Sequence, residues 1–216
     1  MEPAIADQAH RAQLEKGIRD LGLDPAPART DQMLQYLHLL QKWNKIYNLT
    51  AIRDPERMVT HHLLDSLAII PHLRGERLLD VGTGAGLPGI PLAIALPDMQ
   101  VTMLDSNGKK TAFVQQAIAE LGLGNARVTL SRIENWQPTP GLPPFDIITT
   151  RAYSELRTTL EQTGHLLAPD ARLYAMKGQR PDAELKGLPP GFMAEEVIRL
   201  HVPGLDDARH LVILKM

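Results

Sequence analysis

An apolar run, Arg77-Leu78-Leu79-Asp80-Val81, stops at Gly82-Thr83-Gly84-Ala85-Gly86, and a helix-like stretch opens directly behind it. Glycines at alternate positions let the backbone turn sharply and approach a ligand with no Cβ in the way. Alone, such a turn is a weak signal. With a strand before it, a helix after it and the acidic Asp105 nineteen residues past Gly86, it points to a nucleotide-like ligand on an α/β sheet.

The rest of the chain fits that sheet. Apolar runs at Arg77–Val81, Gln100–Leu104, Ala126–Leu130, Asp146–Thr150, Arg172–Met176, Glu195–Leu200 and His210–Leu214 read as strands. Helical periodicity fills Leu87–Leu96, Lys109–Leu121 and Ser154–Leu167 between them. Only Pro203–Asp207 joins the last two strands, too short for a crossover, so they should form an antiparallel hairpin. Upstream, Ile5–Leu21 reads as a helix, and Pro25–Pro27 breaks it. A second helix carries Met33, Tyr36, Leu37, Leu40, Trp43 and Tyr47 on one face, with Asp31 placed to cap it. The expected division is a helical cap over residues 1–58 and a ligand-binding domain over 59–216.

Composition narrows the chemistry. The 216 residues are 44% apolar and 22% charged, as in an ordinary globular chain. With no cysteine, thiolate nucleophiles, iron–sulfur clusters and disulfide scaffolds are all excluded. The first thirty residues lack a hydrophobic signal region, and the longest uncharged stretch, Val81–Pro97, holds four glycines and three prolines. A membrane segment is therefore not expected, and a cytoplasmic location is permitted. The net charge of −2 requires any nucleic-acid partner to meet a local basic patch.

The ligand follows from the turn's details. A dinucleotide fingerprint wants glycine or alanine three residues after Gly84, where this chain has Leu87. Asp80, two residues before Gly82, would sit badly beside a pyrophosphate but suits the ammonium of a methionine moiety. S-adenosylmethionine is favoured over NAD and FAD, with Gly82, Gly84 and Gly86 as the cradle and Asp105 as acceptor for ribose hydroxyls. The third strand exits into Ser131-Arg132-Ile133-Glu134, which places Ile133 against an adenine ring and Glu134 near its polar edge. The expected fold is Rossmann-like α/β, with a seven-stranded mixed sheet and an N-terminal helical extension, of the class I methyltransferase type.

The fourth strand's exit puts Arg151 on the acceptor side, and the fifth brings Lys177 and Arg180 to the same edge. With Lys109 and Lys110 they make a phosphate-binding rim, and Arg151 and Lys177 are the leading catalytic candidates. Pro143-Pro144-Phe145 has Leu142 where amino-group methyltransferases carry a polar residue, and it precedes its strand, so it reads as a loop. His61, His62 and Asp65 lack metal-ligand spacing, and no metal is expected. No general base presents itself, which suits an acceptor with a free lone pair such as guanine N7.

These residues resemble the bacterial RsmG (GidB) family of small-subunit rRNA guanine-N7 methyltransferases. The likeness runs through Trp43-Asn44-Lys45-Ile46-Tyr47-Asn48-Leu49-Thr50-Ala51-Ile52, His62 with Leu64-Asp65-Ser66, Leu79 to Ala93, Asp105-Ser106 with Lys109-Lys110, Arg151-Ala152 and Lys177-Gly178. It implies that Gly82, Leu87, Ile133, Glu134 and Arg151 contact S-adenosylmethionine. It also implies a monomeric cytoplasmic enzyme acting on one guanine of 16S rRNA in the small ribosomal subunit. Thr83, Leu87 and Thr150 depart mildly from the family's usual residues. The rival readings are a methyltransferase for another acceptor and a non-catalytic RNA-binding module that senses S-adenosylmethionine.

Overall fold

A computed structural model describes the backbone of residues 2–138, 141 and 143–215. Thr139, Pro140 and Leu142, in the Pro/Gly cluster before the fourth strand, lie outside the described residues. Strands β1 (Arg77–Val81), β2 (Gln100–Asp105), β3 (Ala126–Leu130), β4 (Phe145–Arg151), β5 (Leu167–Lys177), β6 (Met193–Leu200) and β7 (Arg209–Lys215) form one seven-stranded sheet in the order β3-β2-β1-β4-β5-β7-β6. The first five run parallel, and β7 inserts antiparallel between β5 and β6.

Strand alternation divides the core between the two faces. Leu78, Val101, Met103 and Ile147 pack on one side, under α2 (Pro27–Tyr47), α5 (Gly89–Ala95) and α6 (Gly108–Leu121). Leu79, Val81, Leu104 and Ile148 pack on the other, under α7 (Leu156–Thr163). The helix expected to reach Leu167 stops earlier, and β5 begins at Leu167. Pro169 has no N–H to offer a continuing helix, so the apolar run resolves as strand.

The N-terminal helices share the first of these cores. Leu14 and Ile18 of α1 (Glu2–Asp20), and Met33, Leu37 and Leu40 of α2, are buried with Leu63, Leu64, Ile90 and Phe113. Helix α2 starts at Pro27, whose fixed φ suits a first helical turn. Asp31 therefore does not cap it. Asp31 lies in the second turn and pairs with Arg11 of α1. Downstream, α3 (Pro55–Met58) runs through a π-helical turn (Val59–Leu64) directly into α4 (Asp65–Leu67). A boundary at residue 58 falls inside this continuous helical segment.

One side chain ties the helical layer to the glycine turn. Tyr36 is fully buried, and its hydroxyl donates to the Ala85 carbonyl at 2.7 Å. Tyr36→Phe leaves that buried carbonyl unpaired, which should cost about 1–3 kcal/mol. For a chain of this size that lowers Tm by roughly 2–12 °C. An unchanged melting curve would show that the bond contributes nothing to the loop.

Candidate active site

The sheet reverses its winding between β1 and β4, and the loops beyond β1, β2, β3 and β4 converge there. Such a switch point is where open α/β sheets bind ligands. The convergence encloses a cavity of about 340 Å³, lined by Gly82, Asp105, Lys110, Ile133, Glu134 and Tyr153 among others. That is within the range of small-molecule sites. A second cavity, of about 290 Å³, lies at the opposite edge among Arg77, Gln100, Ala126 and Phe145, where the strands begin. Topology, and not size, separates the two.

The turn is held by carboxylates on both sides. Asp80 is fully buried, and its Oδ2 accepts from Thr83 Oγ1 at 2.6 Å and from the Gly89 N–H at 3.0 Å. Its Oδ1 faces Thr149 Oγ1 at 3.4 Å. Burial pushes this carboxyl up to about 6. Asp80, expected beside an ammonium group, thus braces the loop from behind and is not part of the cavity lining. Asp105 does line the cavity. Its Oδ2 accepts from the Gly84 N–H and its Oδ1 from the Asn107 N–H, both at 2.8 Å. Gly82, Gly84 and Gly86 adopt φ of +70°, +60° and +87°, the left-handed region that a side chain resists.

On the far wall, Ile133 and Glu134 occupy a short helical turn after β3, where the sequence placed them. Glu134 Oε1 accepts from Gln162 Nε2 at 2.7 Å, and Gln162 Oε1 accepts from the Tyr153 hydroxyl at 2.9 Å. Ala152, at φ +51°, turns the chain after β4 and brings the Tyr153 ring over Gly82. A Cβ built on Gly82 would meet that ring at 2.4 Å. Leu87 belongs to the buried apolar core and does not line the cavity.

Arg151 leaves β4 beside the turn. Its Nη1 donates to the His61 carbonyl and to Asp65 Oδ2, both at 2.9 Å. Asp65 Oδ1 accepts in turn from Arg209 Nε at 3.1 Å. Two guanidiniums thus share one buried carboxylate and leave a net positive charge at the edge. Next to them, His62 is buried with Nε2 at 3.1 Å from Thr50 Oγ1. Burial, reinforced by Arg151, lowers its pKa to about 4, so it is neutral near pH 7.

The rim of cations differs from the expectation. Lys177 Nζ donates to Glu184 Oε2 at 2.8 Å and to the Ser154 carbonyl at 2.9 Å, so it serves as a tie to α8 (Asp182–Lys186). Arg180 pairs with Asp182 at 2.8 Å in the open. Lys109 and Lys110 stand at the start of α6, where Asn107 Oδ1 accepts both their backbone N–H groups. Among the described residues there is no cluster of three or more His, Asp or Glu able to hold a metal. Sequence reading missed Arg209, Gln162 and the role of Tyr36. The expected hairpin implied the first of these, since an antiparallel strand starts at the edge where parallel strands end.

The walls suit a methionine-bearing nucleoside: Asp105 and Glu134 offer carboxylates to hydroxyl or amino groups, Ile133 an apolar surface to a flat base, and Gly82 a close backbone approach. The sheet order, the turn and Asp105 together define a class I S-adenosylmethionine-dependent methyltransferase. A "SAM dependent methyltransferase" from Aquifex aeolicus superposes with a TM-score of 0.56 at 21% identity, covering 81% of this chain and 97% of that one. The chain belongs to the GidB family, described as "rRNA small subunit methyltransferase G", whose profile matches residues 29–212. Proteins named "Ribosomal RNA small subunit methyltransferase G" from Chromobacterium violaceum and Neisseria meningitidis are 52% and 50% identical to it. These matches span 94% of this chain and 96% and 97% of theirs.

Two outcomes test the site. The folded-state value of Asp80 lies above its ordinary 3.8, so its contribution to stability is full below 3.8 and lost as pH rises towards about 6. Asp80→Asn should therefore gain in Tm relative to the parent chain between pH 4 and pH 6.5, and a difference that stays flat would contradict the assignment. Tyr153→Phe keeps the ring and loses the bond to Gln162. It should weaken S-adenosylmethionine binding by about fivefold in calorimetry, with Tm lowered by no more than roughly 1–6 °C.

Proposed function

We propose that this chain transfers the methyl group of S-adenosylmethionine to N7 of a guanine in 16S rRNA, acting as a cytoplasmic monomer on the small ribosomal subunit. The observation that carries the reading is the pairing of the cavity at the glycine turn with the Arg151–Asp65–Arg209 cluster, whose Arg151 directly precedes the Ala152 that lines that cavity. The family and the names of its members agree with it.

S-adenosylmethionine held in this cavity would supply a methyl group on a sulfonium: an acceptor lone pair would bond to the methyl carbon as the carbon–sulfur bond breaks, and the neutral thioether S-adenosylhomocysteine would leave with that electron pair. Guanine N7 has such a lone pair and needs no prior deprotonation, so the chain needs no general base near the acceptor. The carboxylates present are otherwise engaged: Asp80 and Asp105 hold the turn, and Asp65 is shared by two arginines. Arg151 and Arg209 offer positive charge to a phosphate of the acceptor strand, and Asp65 fixes their direction. The side chains around the cavity therefore act by orientation and by excluding water. Lys177 and Arg180 enter only indirectly, since each is neutralised by its own acid.

The test is to incubate the protein and labelled S-adenosylmethionine with small subunits from a strain lacking the enzyme, then identify the labelled nucleoside by mass spectrometry. One 7-methylguanosine in 16S rRNA is expected. Cofactor binding with no labelled RNA would favour another acceptor or a non-catalytic module. Arg151→Ala should reduce turnover by about 100-fold. The fold should survive, because Arg209 still pairs with Asp65, and full activity in this variant would remove Arg151 from the mechanism.

A further inference from the structure

Among the described residues four large hydrophobic side chains are exposed, and two of them are consecutive: Ile46 at 73% and Tyr47 at 40%, on the last turn of α2. The ring of Tyr47 rests on Trp43 at 5.3 Å, and Trp43 on Phe113 of α6 at 5.7 Å, so the turn is rigidly mounted. Lys109 Nζ lies 5.9 Å from the Tyr47 ring centroid, which joins this turn to the start of α6. Lys110, the next residue, lines the cofactor cavity. The exposed apolar step is thus continuous with the mouth of the site.

Charge is segregated in the same way. The first 58 residues have no net basic excess, but their acids are not evenly spread. In α1 and early α2, Arg11 pairs with Glu15 and Asp31, and Lys16 with Asp20. From residue 42 to residue 53 there is no acid, and from 106 to 119 there is none either. Lys45 makes no ion pair among the described residues, and Arg53 donates to the Asn48 side chain at 2.7 Å. In a chain of net charge −2 this is a local basic field around an apolar step. Cations for phosphates beside apolar surface for bases are what unpaired nucleic acid requires.

We propose that the C-terminal turn of α2, residues 48–53 and the start of α6 form a docking surface for an unpaired stretch of RNA flanking the acceptor base. The proposal rests on the reading of the chain as an rRNA methyltransferase and assigns its N-terminal helices a share of substrate binding.

Filter binding to a 16S rRNA transcript and to small subunits tests it without reference to methyl transfer. The variants are Lys45→Glu, Ile46→Ser and, as a charge-matched control far along α1, Arg19→Glu. Lys45→Glu should weaken binding to both RNAs about tenfold and flatten the log–log salt dependence by about 0.7, the share of one phosphate contact to a single strand. Ile46→Ser should weaken binding by about threefold to fivefold without altering that slope. Arg19→Glu should match the parent chain, and S-adenosylmethionine affinity and Tm should hold in all three.

Parental affinity in both Lys45→Glu and Ile46→Ser would overturn the surface. So would loss of binding to subunits alone, which would assign the patch to a ribosomal protein. If the parent chain binds RNA without methylating it while these variants lose binding, the surface stands and the reading of the reaction falls.

Discussion

Asp80, one residue before the end of β1, is fully buried, and its carboxylate is satisfied by Thr83, Gly89 and Thr149. Those three partners belong to the glycine turn, the helix behind it and the neighbouring strand across the switch point. Removing one partner of a buried charge leaves the rest exposed to its full desolvation cost. The turn, the packing of α5 and the β1–β4 junction are therefore coupled through a single side chain. The ligand cavity is the space left open on the other side of that junction. Its shape follows from the brace, with Asp105 fixing Gly84 from the front.

A second buried carboxylate organises the acceptor side by a different means. Asp65 lies in the helical segment that leads into the sheet domain, yet its partners come from β4 and β7. Two arginines against one acid leave the edge positive while fixing both side chains. The N-terminal layer therefore does more than cover the sheet. It supplies Asp65's segment with a support, through the Thr50–His62 contact, and it supplies the glycine turn with Tyr36.

Much of this was legible in the chain. Apolar runs and the spacing of the glycines placed the seven strands, the turn and Asp105, because those features depend on local backbone needs. Ile133, Glu134 and Arg151 followed from strand exits. What remained hidden were pairings between distant segments. Nothing near Lys177 in sequence distinguishes a free cation from one tied to Glu184, and Arg209 is 144 residues from Asp65. Asp31 misled because a capping residue is recognised by its type, while the true start at Pro27 was set by the bend before it. Gln162 carries no local signal, since its value lies in linking Tyr153 to Glu134 across two elements.

The π-helical turn at Val59–Leu64 holds one residue more than an α-helix would use for the same rise, and the Asp65 N–H bonds back to the Thr60 carbonyl accordingly. An extra residue rotates everything after it by about 100° about the helix axis. Asp65 faces two arginines because the helix is overfull by one. The segment is thus intolerant of length change in a way no single side chain reveals. Losing any one residue there would relax the backbone into a regular helix and swing the carboxylate a quarter-turn away from both guanidiniums, with every side-chain type in the site unaltered.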